Sequence, residues 1–507
     1  MRASGILMPV FSLPSKYGVG TFGCEAYNFV DFLVKSGQSY WQMLPLGCTT
    51  FGDSPYQTVS SAAGNPYFID LDLLCREGLL LPQEYENEDY GKDRDRVDYE
   101  KLYKSRLPVL RRACERFDFS DSDYIRFCAE QSSWLDPFAL FMAVKDSFGG
   151  KSWSEWDESF RKKDEKTLAE FKERYAADID FYKFAQYEFY KQWNGLKAYA
   201  NENGIKIIGD MPIYVSFDSS DVWWEPEQFD LDEELVPRVV SGCPPDAFSA
   251  DGQLWGSPVY AWDRMEKETE PYGWWRRRMR QAFGVYDIIR IDHFRGFESF
   301  YCIPNGDKNA KRGKWRKGPG MKFFNAMNEE FGGDLPIIAE DLGLLTPEVN
   351  KLLADTGFAG MKVLQFAFGS DTDNAYLPHN HIKNCVVYTG THDNDTIIGW
   401  VKHASKQEVF YARRYLHIDD NEGFHWGMIR AALGSVADTA ILMMPDFMGL
   451  DSSARINAPS TLGGGNWQWR IGDGCINDWL ASIIRENVAL YGRLPRAIEE
   501  KPKKDKQ

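Results

Sequence analysis

Several short apolar runs along the chain end in an acidic residue, and these runs lie far apart in sequence. They are IKIIGD (205–210), YDIIRID (286–292), LPIIAED (335–341) and NCVVYTGTHD (384–393). Short continuous apolar runs of this kind are typical of strands that are buried on both faces, as in a parallel sheet. Because the carboxyl ends of parallel strands meet at one mouth of an α/β barrel, the pattern predicts three or four carboxylates around a single pocket.

Further strand-like runs extend the pattern to the number that a barrel needs. The predicted strands are 39–46, 67–71, 205–210, 286–292, 335–340, 361–367, 385–390 and 439–445. Helical apolar spacing and loop-forming residues lie between them. The chain is therefore predicted to be an α/β protein with a (β/α)8 TIM barrel, in which 39–46 is the first strand.

The residue composition and the apolar spacing change along the chain, and these changes suggest how the chain is organised. Residues 1–75 form the first part of the barrel, and 76–200, dense in charge and helical patterns, form a mostly helical insertion plus a return helix. The remainder of the barrel is expected at 201–500, with a long active-site lip at 211–280 that is rich in aromatic residues, Pro and Gly. A disordered tail is expected at 501–507, and no β domain is expected after the barrel.

Charge and cysteine usage exclude several classes of partner. The 507 residues carry a formal net charge of −16, so nucleic acid and an anionic membrane surface are not expected partners. The nine cysteines include no CxxC pair, which favours a reducing compartment over a disulfide framework. No apolar run is long enough to span a bilayer, and prolines interrupt the apolar start of the chain, so the cytoplasm is the expected location.

Two of the strand-end acids have the setting that glycoside cleavage requires. One carboxylate must attack or activate water, and a second must donate a proton and so needs a raised pKa. Asp292 suits the nucleophile because Arg290 lies two residues before it and keeps a carboxylate ionised. Glu340 suits the acid/base because it ends an apolar run. Aromatic residues make up 15% of the chain, and many lie in loop contexts where flat rings can stack on sugars.

Metal and cofactor chemistry find little support in the sequence. The segment THDND (391–395) offers possible metal ligands, but the chain has only seven histidines and no HExxH motif. The glycine run at 463–465 lacks the lysine and the strand–turn–helix setting of a phosphate-binding loop. No metal and no cofactor are therefore expected.

Several blocks of sequence resemble one known family. RIDHFRGF (290–297), IIAEDLG (337–343) and TGTHDND (389–395) resemble the conserved blocks of the α-amylase clan. Together with SPYQ (54–57), GDMPIYV (209–215), PPDAFSADGQLWGSPVYAW (244–262) and GNWQWR (465–470), they resemble the 4-α-glucanotransferases of glycoside hydrolase family 77, also called amylomaltase or disproportionating enzyme. The resemblance runs from about residue 5 to 495. It implies transfer of α-1,4-glucan segments between malto-oligosaccharides through a covalent glucosyl-enzyme.

The resemblance also implies roles for individual residues. Asp292 is expected to be the nucleophile, Glu340 the general acid/base, and Asp393 the residue that binds the hydroxyls of the transferred sugar. The substrate-binding residues implied by the same motifs are Tyr56, Asp210, Trp255, Arg290, Phe366, His392 and Asn466.

Two other functions stay open at this point. An α-1,4-glucan hydrolase of the same clan shares every one of these carboxylates, and only its products distinguish it. A non-catalytic glucan-binding barrel is a more remote alternative, because it predicts loss of at least one of Asp292, Glu340 and Asp393, and all three are present. The expected partners are malto-oligosaccharides and α-1,4-glucans, with the protein as a monomer or homodimer.

Overall fold

The structure is a computed structural model that describes residues 2–49, 52–245, 250–343, 345–419 and 421–495; the predicted tail at 501–507 lies outside these ranges. The strands in chain order are β1 (Ala3–Leu7), β2 (Tyr40–Gln42), β3 (Lys206–Met211), β4 (Val239–Cys243), β5 (Gln253–Pro258), β6 (Ile288–Ile291), β7 (Ser299–Pro304), β8 (Lys314–Lys317), β9 (Ile337–Ala339), β10 (Gly360–Val363), β11 (Cys385–Tyr388) and β12 (Thr439–Met443).

Eight of these strands form a parallel sheet in the order β10, β11, β12, β1, β2, β3, β6, β9. The two ends of the sheet meet at a parallel bridge between Ile338 and Ala359, where the Ala339 N–H donates to the Ala359 carbonyl at 2.9 Å. The sheet therefore closes, and the predicted α/β barrel is confirmed.

Seven of the eight predicted strands overlap a barrel strand, but the stretch 67–71 is not one of them. Pro66 lacks an N–H for a strand ladder, and the Asn65 side chain accepts from the Tyr67 N–H, so a 3-10 helix forms at Pro66–Phe68. Asp70 then caps the following helix. The first barrel strand is instead β1, and the run 39–46 contributes the second strand. The prediction was wrong on both points.

The helices, in chain order, surround the barrel and fill the long segment before β3. They are α1 (Cys24–Lys35), α2 (Leu71–Arg76), α3 (Tyr99–Cys114), α4 (Ser122–Ser147), α5 (Glu158–Arg161), α6 (Glu165–Arg174), α7 (Ala176–Glu202), α8 (Ser220–Trp224), α9 (Trp262–Met265), α10 (Gly273–Val285), α11 (Met321–Phe331), α12 (Pro347–Thr356), α13 (Ile397–His403), α14 (Lys406–Leu416), α15 (Phe424–Gly434), α16 (Met444–Phe447) and α17 (Asp478–Leu490). None of the helices described here has the length and apolar character to cross a membrane.

A second, antiparallel sheet stands beside the mouth of the barrel. Its strand order is β5, β4, β7, β8, so it combines two strands from the predicted lip with two that follow β6. β5 carries Trp255, which contacts the residue after Asp292. The small sheet thus forms one wall above the ends of the barrel strands.

The seam between β1 and β12 is held by a buried arginine. β1 lies between β12 and β2, and its five residues are all buried. The Arg493 guanidinium donates to the carbonyl oxygens of Ala3 at 2.9 Å, Leu433 at 2.7 Å and Ala437 at 2.9 Å. Because a buried carbonyl needs a donor, this side chain joins three segments of the backbone at the seam.

Candidate active site

Barrel topology brings the predicted acids to one mouth. Residues Asp210 and Arg290 are partners in the register of β3 and β6, and the register of β6 and β9 pairs Ile291 with Ala339. Asp292 comes directly after Ile291, and Glu340 comes directly after Ala339. The two acids therefore lie side by side at the ends of neighbouring strands. The Glu340 N–H donates to the Ile291 carbonyl at 3.0 Å, which extends the ladder to this point.

Arg290 links two carboxylates inside the barrel. Its Nη1 lies 2.6 Å from Asp210 Oδ2 and 3.0 Å from Asp292 Oδ1. Asp210 and Arg290 are both buried, and the Tyr56 hydroxyl also donates to Asp210 Oδ2 at 2.8 Å. A buried charge pair needs such additional hydrogen bonds to offset its lost hydration. The arrangement fixes the guanidinium beneath Asp292.

The two neighbouring carboxyl groups have raised pKa values. Burial raises the pKa of Asp292 to about 6, and Asp210 and Asp393 add to the rise, although Arg290 opposes it. Burial, followed by the negative charge of Asp292, raises the pKa of Glu340 to about 7. The proton is therefore held more tightly by Glu340 than by Asp292, which is the division of roles that a nucleophile and an acid require.

Backbone hydrogen bonds orient the Glu340 carboxylate. Its Oε2 accepts from the His293 N–H at 2.7 Å and its Oε1 accepts from the Leu342 N–H at 2.9 Å. His293 has a left-handed backbone, with φ 53° and ψ 50°, directly after Asp292. This conformation is uncommon for a residue other than glycine, and such strain is concentrated at functional sites.

Asp393, in the loop after β11, is held by residues of a later loop. The Asn457 side-chain amide donates to Asp393 Oδ1 at 2.6 Å, and the Arg455 guanidinium donates to the Asp393 carbonyl at 2.8 Å. His392 Nε2 lies 3.4 Å from Asp393 Oδ2. The His392 ring stacks on Tyr56, with centroids 5.1 Å apart and an angle of 21° between the rings. Tyr56 therefore contacts both Asp210 and His392.

The remaining predicted contacts differ in their surroundings. Trp255 lies at the mouth, where its indole meets His293 with ring centroids 4.8 Å apart. Phe366, just after β10, packs on Tyr376 at 5.6 Å. The Asn466 amide is engaged within its own loop, where it accepts from the Ala458 N–H and donates to Thr461. The structure places Trp255 at the mouth, and the sugar contacts of Trp255, Phe366 and Asn466 stay predictions.

Four residues at the site were not predicted from the sequence to belong to it. They are His293, Asn457, Arg455 and Trp467. Trp467 lies inside the GNWQWR block, and its ring is 5.8 Å from Tyr56 and 6.0 Å from His392. Asn457 and Arg455 belong to a loop without an acidic strand end, so the pattern that found the other residues gives no signal there. Among the described residues, no three His, Cys, Asp or Glu side chains form a group that could hold a metal ion.

A TIM barrel with two neighbouring carboxyl groups of raised pKa at its strand ends is an arrangement that glycoside-processing enzymes use, and the site fits that class. Comparison with known proteins gives the family. The family model described as 4-alpha-glucanotransferase matches residues 8–474. The chain is 49% identical over 489 residues to the 4-alpha-glucanotransferase of Clostridium butyricum, covering 96% of this chain and 100% of that one. It is 47% identical to that of Streptococcus pneumoniae strain TIGR4, covering 98% of each.

A solved structure agrees with these relatives. The amylomaltase from Streptococcus agalactiae, in complex with acarbose, superposes with a TM-score of 0.94 at 42% identity, covering 98% of this chain and 100% of that one. The chain belongs to the 4-α-glucanotransferase family and is an enzyme of glucan transglycosylation. The family resemblance found in the sequence is confirmed.

Proposed function

We propose that this enzyme moves α-1,4-glucan segments from a malto-oligosaccharide donor to the 4-hydroxyl of an acceptor glucan or glucose, by a retaining double displacement. Asp292 is the nucleophile and Glu340 the general acid/base. The observation that carries the proposal is their placement at adjacent strand ends at the same height, together with Arg290 beneath Asp292. The raised pKa of Glu340 supports its role as the group that enters the reaction protonated.

In the first step, an Asp292 oxygen attacks the anomeric carbon while Glu340 gives its proton to the leaving glycosidic oxygen. The bond to the leaving sugar breaks as the glucosyl ester forms. In the second step, Glu340 takes the proton of the acceptor 4-hydroxyl, whose oxygen displaces Asp292. Asp393, held by Asn457, contacts hydroxyls of the sugar being transferred, and Tyr56, Asp210, Arg290 and His392 support the same subsite.

The test is incubation of the purified, metal-stripped protein with maltotriose, followed by chromatography of the products and assay of total reducing ends. We expect a ladder of longer glucans plus glucose, with reducing ends constant. Shorter sugars alone, with rising reducing ends, would identify an α-1,4-glucan hydrolase and overturn the proposal. The Asp292→Asn variant serves as the blank for contaminating activities.

The expected cytoplasmic location, the monomeric or homodimeric state and the absence of nucleic-acid partners stay predictions from the sequence. The substrates we propose are malto-oligosaccharides and α-1,4-glucans. The acidic net charge supports uncharged partners of this kind rather than anionic ones.

A further inference from the structure

The side chain of His293 lies at the catalytic mouth but takes no part in the two steps above. Its backbone N–H holds Glu340, and its ring meets the Trp255 indole edge-to-face, at 85° and 4.8 Å between centroids. The indole of Trp255 in turn lies 6.1 Å from the ring of Tyr214. The imidazole is therefore fixed between the acid/base and the aromatic wall that the second sheet provides.

The two ring nitrogens of His293 have different surroundings. Nε2 is buried and has no hydrogen-bond partner among the residues that the structure describes. The residue as a whole is partly exposed, and Nε2, but not Nδ1, is among the buried side-chain atoms that lack a partner in the described part of the chain. Burial lowers the pKa of His293 to about 3, so the ring is neutral near neutral pH. A neutral imidazole keeps one nitrogen as an acceptor and one as a donor.

The position of Glu340 defines which sugar His293 can reach. Glu340 exchanges its proton with the oxygen of the leaving or attacking sugar, so the acceptor sugar must bind against Glu340. Tyr56, His392 and Asp393 form a connected group of their own, which the proposed function assigns to the transferred sugar. His293 and Trp255 instead adjoin Glu340, and they line the acceptor side.

We propose that His293 binds the acceptor sugar through Nδ1, by a hydrogen bond to a hydroxyl that flanks the attacking 4-hydroxyl. This inference rests on the proposed function. The chemical step is unchanged: the 4-hydroxyl oxygen bonds to the anomeric carbon, the bond to Asp292 breaks, and the proton passes to Glu340. Water has no flanking hydroxyl, so the contact stabilises the transition state of transfer and not that of hydrolysis. His293 thereby favours transfer over hydrolysis.

The experiment measures how one intermediate divides between two acceptors. α-Maltosyl fluoride forms the glycosyl-enzyme, and glucose in excess competes with water, so maltotriose reports transfer and maltose reports hydrolysis. The ratio of the two products does not depend on the fraction of correctly folded enzyme. The variants are His293→Asn, whose amide lies close to the position of Nδ1, and His293→Gln, whose amide lies close to that of Nε2.

We expect His293→Gln to lower the transfer-to-hydrolysis ratio about 10-fold, the effect of losing one hydrogen bond to a neutral partner. His293→Asn should retain most of the ratio. His417 provides the matched control, since it is exposed and has nearly the same left-handed backbone, with φ 50° and ψ 48°, after α14. The same substitutions at His417 should leave the ratio at the wild-type value.

Deoxy acceptors identify the hydrogen bond itself. Wild-type enzyme should discriminate against 3-deoxyglucose or 6-deoxyglucose relative to glucose, and His293→Gln should lose that discrimination. An unchanged ratio in His293→Gln, or a lower ratio with the discrimination intact, would overturn the inference. Failure of the proposed function is distinguishable, because the wild type would then form no maltotriose, or Asp292→Asn would release fluoride as fast as the wild type.

Discussion

The side-chain amide of Asn457 donates a 2.6 Å hydrogen bond to the carboxylate of Asp393, although 64 positions separate the two residues. The Asn457 N–H also donates to the His392 carbonyl at 3.0 Å, so one residue braces both members of the His–Asp pair. The loop after β11 is therefore positioned by a segment that follows β12.

Replacing Asn457 with Asp should lower kcat/KM for maltotriose by about 10- to 100-fold. The change removes a hydrogen bond to a carboxylate, worth roughly 1.5–3 kcal/mol, and places a second negative charge beside Asp393. Asn384→Asp is the control, because this exposed amide donates to the carbonyl oxygen of Gly357 at the other end of the barrel. Equal losses in the two variants would indicate a general folding effect rather than a role at the site.

The Glu340→Gln variant should separate the two carboxylate roles. With maltotriose we expect a loss of about 10²- to 10⁴-fold, the usual contribution of a general acid. With α-maltosyl fluoride, whose leaving group needs no proton, fluoride release should fall far less. Asp292→Asn should abolish reaction with both donors, because no covalent intermediate can form. Equal losses on both donors in Glu340→Gln would contradict the acid/base assignment.

The pH dependence of kcat/KM should be bell-shaped. Asp292 must be ionised, and its pKa of about 6 predicts that activity rises as the pH passes through that value. Glu340 must be protonated, and its pKa of about 7 predicts that activity falls as the pH passes through about 7. Because the two carboxyl groups are adjacent and titrate together, the two apparent pKa values of the pH profile belong to the pair rather than to either residue alone. A profile that stays flat from pH 5 to pH 9 would count against these assignments.

Stability at alkaline pH should improve in the Asp446→Asn variant. Asp446 is buried, accepts from the Thr389 hydroxyl and the Ile397 N–H, and has a pKa raised to about 7 by burial. Since this folded-state pKa exceeds the unfolded value, the stability that the group contributes is fully present below about pH 3.9 and is lost as the pH rises through 7. Asparagine carries no charge, its oxygen can accept from the Ile397 N–H, and its NH2 group can donate to the Thr389 hydroxyl oxygen.

The measurement is urea unfolding at pH 6 and pH 8.5. The wild type should lose more unfolding free energy between these two pH values than Asp446→Asn does. Asp373→Asn, on the exposed segment between β10 and β11, is the control for the loss of one carboxylate. The same pH slope in the wild type and in Asp446→Asn would show that Asp446 does not titrate in this range.

The sequence predicted the parts of the molecule in which burial controls local composition. A strand such as β6, which is covered on both faces, is apolar along its buried length and can carry an acid only where it reaches the mouth of the barrel. This change from apolar to acidic residues located Asp292 and Glu340. β1, with the sequence ASGIL, was missed because its small residues give no extended apolar run. The segment 67–71 is apolar but begins after a proline and ends at a helix cap, so local turn chemistry determined its structure.

The rest of the site depends on contacts between distant segments. Asn457 reaches Asp393 only because the chain after β12 folds back over the mouth, and no spacing in the sequence encodes that path. The interpretation of Asn466 as a sugar contact followed from its motif, whereas its amide braces the loop at 458–461. Likewise, the left-handed backbone of His293 arises from the turn after β6 and is not visible in its residue type.

The position of β1 between β12 and β2 has a consequence for how the protein is made. During synthesis, the strand at residues 3–7 leaves the ribosome long before one of its two neighbours, residues 439–443, and Arg493 follows later still. The barrel therefore cannot close until β12 has been translated. Until then, one edge of the nascent β1 stays unpaired, so chaperones that shield exposed strands should associate with the chain until β12 emerges.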